Sequence, residues 1–324
     1  MKERVLVTGG AGYIGSSLVR ILLTNGYKVR VLDNLTFGGE GLIEFWLHPD
    51  FEFIKGDLRE LSTVRESLQN VDHVCHLAAI VGEPPCNKYP QETKEINWAA
   101  SVQLYECCEE AKIKRFVFAS TCSNYGKMQD PTAYLDEESP LNPISLYAET
   151  KVKFEEYLLS IKSQTVTRTI LRFSTVYGVS PRIRFDLTVN EFTRDAASGI
   201  NLLIYGEHFW RPYCHVYDLA NAMYMVLISP KEVVANNYYN VGDTRENYTK
   251  KMLMDEICKQ IPTLQVSYKS IGSDPRDYRV NADKIKNQLG FQITRTVPQG
   301  ITEVNQLITS QILSDPFARK YTNI

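Results

Sequence analysis

The chain has few cysteines, no long apolar run and no surplus of either charge. Its 7 cysteines in 324 residues are Cys75, Cys86, Cys107, Cys108, Cys122, Cys214 and Cys258, an odd, scattered set without a CxxC pair. That spacing offers neither a disulfide framework nor a zinc site, so reduced, mostly buried thiols in a reducing compartment are expected. No apolar stretch approaches the roughly 20 residues that span a bilayer. From Met1 the chain runs directly into a strand pattern rather than through a charged and then apolar leader. A cytoplasmic protein with no membrane partner is therefore expected. Lys and Arg number 36 against 38 Asp and Glu, a net charge of −2, with no long run of one sign. A basic field for nucleic acid is missing, and an anionic ligand would have to be held by a few local cations. Repeats and low-complexity linkers are absent as well.

What is present is 44% hydrophobic residues, enough for a large core. Apolar runs of strand length, at 4–8, 28–32, 51–54, 73–77, 115–119 and 167–171, alternate with amphipathic runs predicting helices at 13–25, 62–69, 98–111 and 147–161. The strands are rich in Val, Leu and Phe on both faces, as buried parallel strands are. Strict alternation predicts an α/β fold, a Rossmann-like doubly wound parallel sheet. After Gly178 the pattern loosens: 180–210 mixes Pro, Arg and aromatic residues. A helix at 218–228 and a strand at 238–242 follow, then helices at 249–260, 282–289 and 298–313. The expectation is a dinucleotide-binding domain of 1–178 plus about 212–243. A smaller mixed α/β substrate lobe of about 179–211 and 244–324 would complete the chain.

The first predicted strand ends in TGGAGYIG at 8–15, with glycines at Gly9, Gly12 and Gly15. A tight turn here aims backbone N–H groups and a helix N-terminus at a pyrophosphate, and a Cβ at the closest glycine would block the approach. Its place, after the first strand and opening the first helix, is the context that gives the motif meaning. Asp33 closes the second strand, 18 residues after Gly15. A carboxylate there accepts from ribose hydroxyls and repels a 2′-phosphate, which favours NAD over NADP. Asp57 could meet the adenine edge or cap a helix.

Tyr147 and Lys151 are four residues apart in a predicted helix, on one face and about one turn apart. An ammonium beside the phenol, with a cationic nicotinamide ring, would lower the tyrosine pKa from near 10 and make it a base. The fifth strand leads into STCSNYG at 120–126, where hydroxyls at a strand's carboxyl end face the ligand crevice. Thr121 is placed to share a hydrogen bond with Tyr147 and a reacting hydroxyl.

The run TGGAGYIG, Asp57-Leu58, His76-Leu77-Ala78-Ala79, Asn97, STCSNYG, the Tyr147/Lys151 pair, Leu171-Arg172, Val176-Tyr177-Gly178 and Arg211-Pro212-Tyr213 with His215-Val216 and Asp218 occur in one order. In that order the chain resembles the nucleotide-sugar epimerases and dehydratases, NAD-dependent enzymes of the extended short-chain dehydrogenase/reductase class. The resemblance covers nearly the whole chain. Segments 79–86, 139–147 and 180–184 look most like GDP-heptose 4-dehydrogenases.

The resemblance implies catalysis by Thr121, Tyr147 and Lys151. It implies NAD contacts from Gly9, Gly12, Tyr13, Ile14, Gly15, Asp33, Asn34, Asp57, Leu58, Leu77, Ala78, Ala79 and Asn97, together with Tyr147 and Lys151. The substrate would be a nucleotide-diphosphate sugar with a GDP, UDP, dTDP or CDP handle. It would be touched by Val81, Cys122, Ser123, Thr175, Arg182, Arg184, Arg211 and Arg276. Arg211 matches the diphosphate-binding arginine, whose planar fork suits a pyrophosphate. For Arg182, Arg184, Arg276 and Arg279 a salt-bridged surface role stands beside the ligand role. Tyr147 would take the proton from the sugar 4-hydroxyl as hydride leaves C4. The resulting 4-keto sugar could be reduced from the other face, lose water across C5–C6, or be released.

Dehydratases of the family carry an Asp-Glu pair after the catalytic Thr, and here Cys122 and Ser123 stand there, so 4-epimerisation or 4-dehydrogenation is favoured over 4,6-dehydration. Cys122 reads as packing rather than as an acid. Thr175 replaces the family's usual Asn. His215 and Asp218 read as braces between lobes. Helices around 98–111 and 147–161, with apolar faces at Val102, Leu104, Tyr105, Phe154, Tyr157 and Leu158, would pair in a homodimer or pack into the core. A hydroxysteroid-type or dihydroflavonol-type reductase is disfavoured by Asp33 and Arg211. A non-catalytic NAD scaffold is disfavoured by the intact Tyr/Lys pair.

Overall fold

The structure is a computed structural model and describes residues 2–130, 132–269 and 277–323. In chain order its strands are β1 (Arg4–Thr8), β2 (Lys28–Asp33), β3 (Phe51–Lys55), β4 (His73–His76), β5 (Arg115–Thr121), β6 (Thr167–Phe173), β7 (Thr175–Tyr177), β8 (Leu202–Tyr205), β9 (Trp210–His215), β10 (Asn237–Val241), β11 (Asn247–Thr249) and β12 (Val266–Lys269). The helices are α1 (Tyr13–Thr24), α2 (Leu61–Ser67), α3 (Glu83–Lys88), α4 (Pro90–Lys94), α5 (Ser101–Glu110), α6 (Leu146–Ser160), α7 (Thr188–Ala197), α8 (Val216–Ile228), α9 (Lys231–Val234), α10 (Lys250–Gln260), α11 (Asp283–Leu289) and α12 (Val297–Thr309).

Seven strands form one parallel sheet in the order β10-β6-β5-β4-β1-β2-β3. Every residue of β6 and all but the first of β5 are buried, which is why these segments read as apolar without alternation. One face is covered by α1 and α8, through Leu18, Leu22, Leu219 and Met223. The other is covered by α2, α5 and α6, through Val64, Leu104, Tyr105, Phe154 and Leu158 packed on Phe116 and Phe118. The order reverses at β1, which lies between β2 and β4. At such a switch point the connections leave in opposite directions and open a crevice at the strands' carboxyl ends.

The sequence pattern placed the main strands to within two residues, and β5 and β6 extend two residues further than expected, to Thr121 and Phe173. Before α5 the chain forms a π-helical segment, Glu95–Ala100, whose i→i+5 spacing a helical period does not reveal. The last helix stops at Thr309 rather than 313. After β6 the sequence pattern predicts only one strand, at 238–242, yet β7, β9 and β11 form a second small sheet and β8 pairs with β12. These strands have three to six residues, and β9 contains Pro212, so neither alternation nor β propensity marked them. No helix among the described residues is long and apolar enough to cross a membrane.

Candidate active site

The turn between β1 and α1 is shaped by the chain's own packing at two glycines and left open at the third. Gly9 has φ +74°, and a Cβ there would meet the Ala78 backbone nitrogen at 2.7 Å. A Cβ on Gly15 would collide with the Gly9 carbonyl oxygen. At Gly12 the only neighbour is that same oxygen, at 3.1 Å. Gly9 thus makes the turn, Gly15 lets the helix close on it, and Gly12 leaves the backbone approachable from the crevice. Gly12 is the N-cap of α1, with no side-chain cap and no acidic residue in the first turn. The backbone N–H groups of Tyr13 and Ile14 are therefore available to an anion. The Tyr13 ring is not: its phenol donates to the Gly178 carbonyl at 2.5 Å and accepts from the Asn190 amide at 3.0 Å.

Asp33 ends β2 with its carboxylate turned back on the glycine turn, accepting from Ala11 N–H at 3.0 Å and Leu35 N–H at 2.9 Å. Burial raises its pKa, against those two bonds and the more distant Arg182 charge. Asp57 does not cap α2, whose N-cap is Glu60. It is held instead by Arg59, through Nη2 at 2.8 Å, and it meets the Asn34 side chain, so the ends of β2 and β3 are tied together. Leu58 is buried under this corner. Leu77, Ala78 and Ala79 leave β4 beside Gly9, and Ala78 N–H approaches the Thr8 hydroxyl at 3.4 Å. Asn97, in the π-helical segment, clasps the backbone of Ile80, accepting from its N–H at 2.8 Å and donating to its carbonyl at 2.9 Å. Its side chain thereby fixes the loop that continues into Val81.

The three expected catalytic residues converge. Thr121 is the last residue of β5, and its hydroxyl accepts from Ser123 N–H at 3.1 Å and touches the Tyr147 phenol. Ser145 caps α6 through Ala148 N–H and fixes the start of the helix that carries Tyr147 and Lys151. Lys151 is 3% exposed; its ammonium donates to the Ala119 carbonyl at 2.8 Å and lies 5.9 Å from the Tyr147 ring centre. Burial pulls the lysine down to about 8. The expected lowering of the tyrosine pKa takes Lys151 together with a cationic nicotinamide ring, and the protein's own groups by themselves do not bring it about. Burial pushes the phenol well above the ordinary tyrosine value, while Arg184 and the Thr121 hydroxyl pull it back. Removing water from around an anion outweighs one ammonium that is already engaged by a carbonyl.

Below this trio lies a buried polar network that sequence reasoning missed. Glu155, one turn beyond Lys151, accepts from the Ser120 hydroxyl, from Asn124 Nδ2 at 2.7 Å and from Arg172 Nη2 at 2.8 Å. Arg172 also donates to Tyr125, whose phenol donates to Asn240 at 2.7 Å. Strands β5, β6 and β10 are thereby locked at the level of Thr121.

On the sugar side the expected residues divide. Cys122 is fully buried, its thiol directed at the Arg172 carbonyl at 3.1 Å, so it faces the core and is withdrawn from the substrate contacts. Ser123 turns the other way, 3.4 Å from the Tyr278 hydroxyl. Arg211, on β9, donates to the Trp210 carbonyl and stacks 5.4 Å from the Tyr278 ring. Tyr278 therefore joins Ser123 to Arg211 and acts electrostatically on Tyr147, a placement that no local pattern signalled. Thr175 opens β7, opposite Tyr213 of β9. Arg184 forms a bidentate pair with Asp186, at 3.0 and 2.7 Å. Arg182 lies apart from Arg211, stacked on Phe37 on the Asp33 side. Arg276 is outside the described residues. His215 pairs with Glu303 at 2.9 Å, and Asp218 accepts from Thr294 and Arg295 N–H, so both brace the C-terminal helices.

Comparison with known proteins agrees with this geometry. Residues 5–242 match the family described as the NAD dependent epimerase/dehydratase family. A putative UDP-glucose 4-epimerase from Methanocaldococcus jannaschii is 30% identical, over 93% of this chain and 96% of that protein. The structure of a Thermus thermophilus UDP-glucose 4-epimerase in complex with NAD is 28% identical, with a TM-score of 0.81 over 96% of this chain and 100% of that one. A dTDP-glucose 4,6-dehydratase from Bacillus anthracis, also in complex with NAD, is 26% identical, with a TM-score of 0.82 over 94% and 96%. The glycine turn follows β1, Asp33 closes β2 and Thr121 closes β5 beside Tyr147 and Lys151, all at the carboxyl ends of the parallel strands, and the chain belongs to the NAD-dependent epimerase/dehydratase family.

Proposed function

We propose that the protein oxidises C4 of a nucleotide-diphosphate sugar and returns the hydride to the opposite face, as a 4-epimerase. Bound NAD supplies the hydride acceptor. The open Gly12 face, the uncapped first turn of α1 and the Asp33 carboxylate suit a dinucleotide whose ribose lacks a 2′-phosphate. Tyr147 takes the proton of the 4-hydroxyl, with Thr121 sharing that hydrogen bond. Lys151 keeps positive charge beside the phenol, which burial would otherwise hold protonated. Arg211 and Ser123 face the substrate from the small lobe and the β5 turn. The lobe formed by about 179–211 and 244–324 holds the nucleotide.

The observation that carries epimerisation over elimination lies just after Thr121. Cys122 points into the core, and Ser123 cannot protonate a departing 6-hydroxyl as a carboxylic acid can. A second reading, release of the 4-ketone, is favoured by the likeness of 79–86, 139–147 and 180–184 to GDP-heptose 4-dehydrogenases. A panel of UDP-, GDP-, dTDP- and CDP-sugars, followed by NADH absorbance and product NMR, separates the two. An isomeric product without net NADH supports epimerisation, a steady rise in NADH supports the dehydrogenase, and a 4-keto-6-deoxy product refutes both. A homodimer through α5 and α6 belongs to this reading. Leu104, Tyr105, Phe154 and Leu158 are used up in the core, which leaves Trp98, Val102 and Tyr157, each half-buried, for the pairing.

A further inference from the structure

Arg182 arrives at the cofactor cleft from the connection that leaves the main domain. Ser180, two residues earlier, latches that connection onto the first turn of α1: its hydroxyl donates to the Tyr13 carbonyl at 2.6 Å and meets the Ser16 hydroxyl at 3.1 Å. From there the Arg182 stem runs past Gly41, where an added Cβ would come within 3.0 Å of the Arg182 Cβ and 3.2 Å of the Ser16 Cβ. The guanidinium ends 4.9 Å from the centre of the Phe37 ring, in the segment that follows Asp33. The side chain thus spans the gap between the anion-receiving end of α1 and the ribose carboxylate of β2.

The group is costly where it stands. Arg182 is 6% exposed. Among the described residues its one hydrogen bond is from Nη2 to the Thr322 carbonyl, at 3.3 Å, and Nε is buried without a partner. Burial and the neighbouring Arg184 charge pull it down to about 10, against Asp186, Asp33 and Glu40, which act only at a distance. A buried cation without a hydrogen-bonded counter-charge is what a built anion site looks like before its ligand arrives.

We propose that Arg182 is a cofactor residue, which donates to the diphosphate of NAD on its adenosine side, and not a contact of the sugar nucleotide. The C-terminal residues hold it there. Phe185 N–H donates to the Tyr321 carbonyl at 2.8 Å, and Asn323 N–H to Asp186 at 3.1 Å, so the end of the chain clasps the segment that presents Arg182. This inference rests on the NAD reading and adds a residue to it.

The test uses ADP-ribose, which carries the diphosphate and the adenosine ribose without the nicotinamide. Calorimetry on protein freed of bound nucleotide, together with NAD retained per chain after desalting, gives readouts independent of turnover. Arg182→Met should weaken ADP-ribose binding at least about tenfold, the loss of one charge-assisted contact. It should also purify with less NAD than the parent. Arg182→Lys, which keeps a charge but not the fork, should fall between them. Should Arg182→Met fail to fold, Arg182→Gln carries the same expectation. A neutral variant that binds ADP-ribose within twofold of the parent overturns the assignment. A parent that binds neither ADP-ribose nor NAD overturns the cofactor reading itself.

Discussion

Replacing Glu155 with Ala is expected to be strongly destabilising. The side chain is 1% exposed and accepts from Ser120, from Asn124 and from Arg172 through Nε at 3.0 Å and Nη2 at 2.8 Å. The Arg172 side chain, 4% exposed, keeps its charge when the carboxylate goes. Removing one partner of a buried ion pair costs about 3–5 kcal/mol, because the remaining charge is stranded away from water. At about 2 °C per kcal/mol for a chain of this size, the melting temperature should fall by about 6–10 °C. Removing both charges, Glu155→Met with Arg172→Met, leaves no charge stranded, only the neutral partners Ser120, Asn124 and Tyr125, so the double variant should recover part of the loss. The coupling energy should be about 2 kcal/mol or more. Urea unfolding followed by tryptophan fluorescence, at one fixed NAD concentration because the ligand itself stabilises the folded state, measures all three variants. A Glu155→Ala cost below about 1 kcal/mol, or single-variant losses that merely add, would refute the argument that this pair locks the strands beneath Thr121.

Tyr147→Phe should keep its NAD and its melting temperature while turnover falls by about 10²–10⁴-fold, the usual share of a general base; single-turnover NADH absorbance at parent level would sink the assignment. Two glycine variants should separate stability from binding. Gly15→Ala drives a Cβ into the Gly9 backbone and should cost about 1–3 kcal/mol in urea unfolding. Gly12→Ala, with only the Gly9 oxygen nearby, should unfold like the parent and lose NAD affinity instead. Lys151 gives a pH signature in protein free of nucleotide. Its folded value of about 8 lies below the ordinary lysine value near 10.5. Between those two values the unfolded chain binds a proton that the folded chain lacks, so this group's contribution to stability rises with pH across that window and is flat below it. Urea unfolding of the parent and of Lys151→Met from pH 7 to 10 should diverge in that sense, and parallel curves would show that the lysine is not desolvated.

Much of the machinery was legible from local signals. The turn at 8–15 and Asp33 announce themselves because a glycine's conformation and a strand's last residue are fixed by neighbours a few positions away. Tyr147 and Lys151 fall together because helical geometry alone sets positions four apart on one face. The alternation of apolar strands and amphipathic helices gave the doubly wound sheet for the same reason, since each element's period is written within its own ten or so residues.

The rest was decided by contacts between distant parts of the chain. Cys122 lies at the first residue of a 3₁₀ turn after β5, where strand alternation no longer dictates which way a side chain points. Its inward direction is set by β6 and β10. Glu155 and Arg172 look like surface residues until the sheet and α6 close over both. Tyr278 reaches Ser123 across 155 positions of sequence, and Arg182 reaches the Asp33 end of the cleft only because the chain leaving the main sheet crosses α1. The sequence by itself therefore determined the family, the doubly wound sheet and the placing of Tyr147 beside Lys151 on one helix. The partners of buried charges, the lobe strands and the rings against which Arg182 and Arg211 stack waited on tertiary structure, because burial and long-range proximity are properties of the packed chain and not of any local stretch.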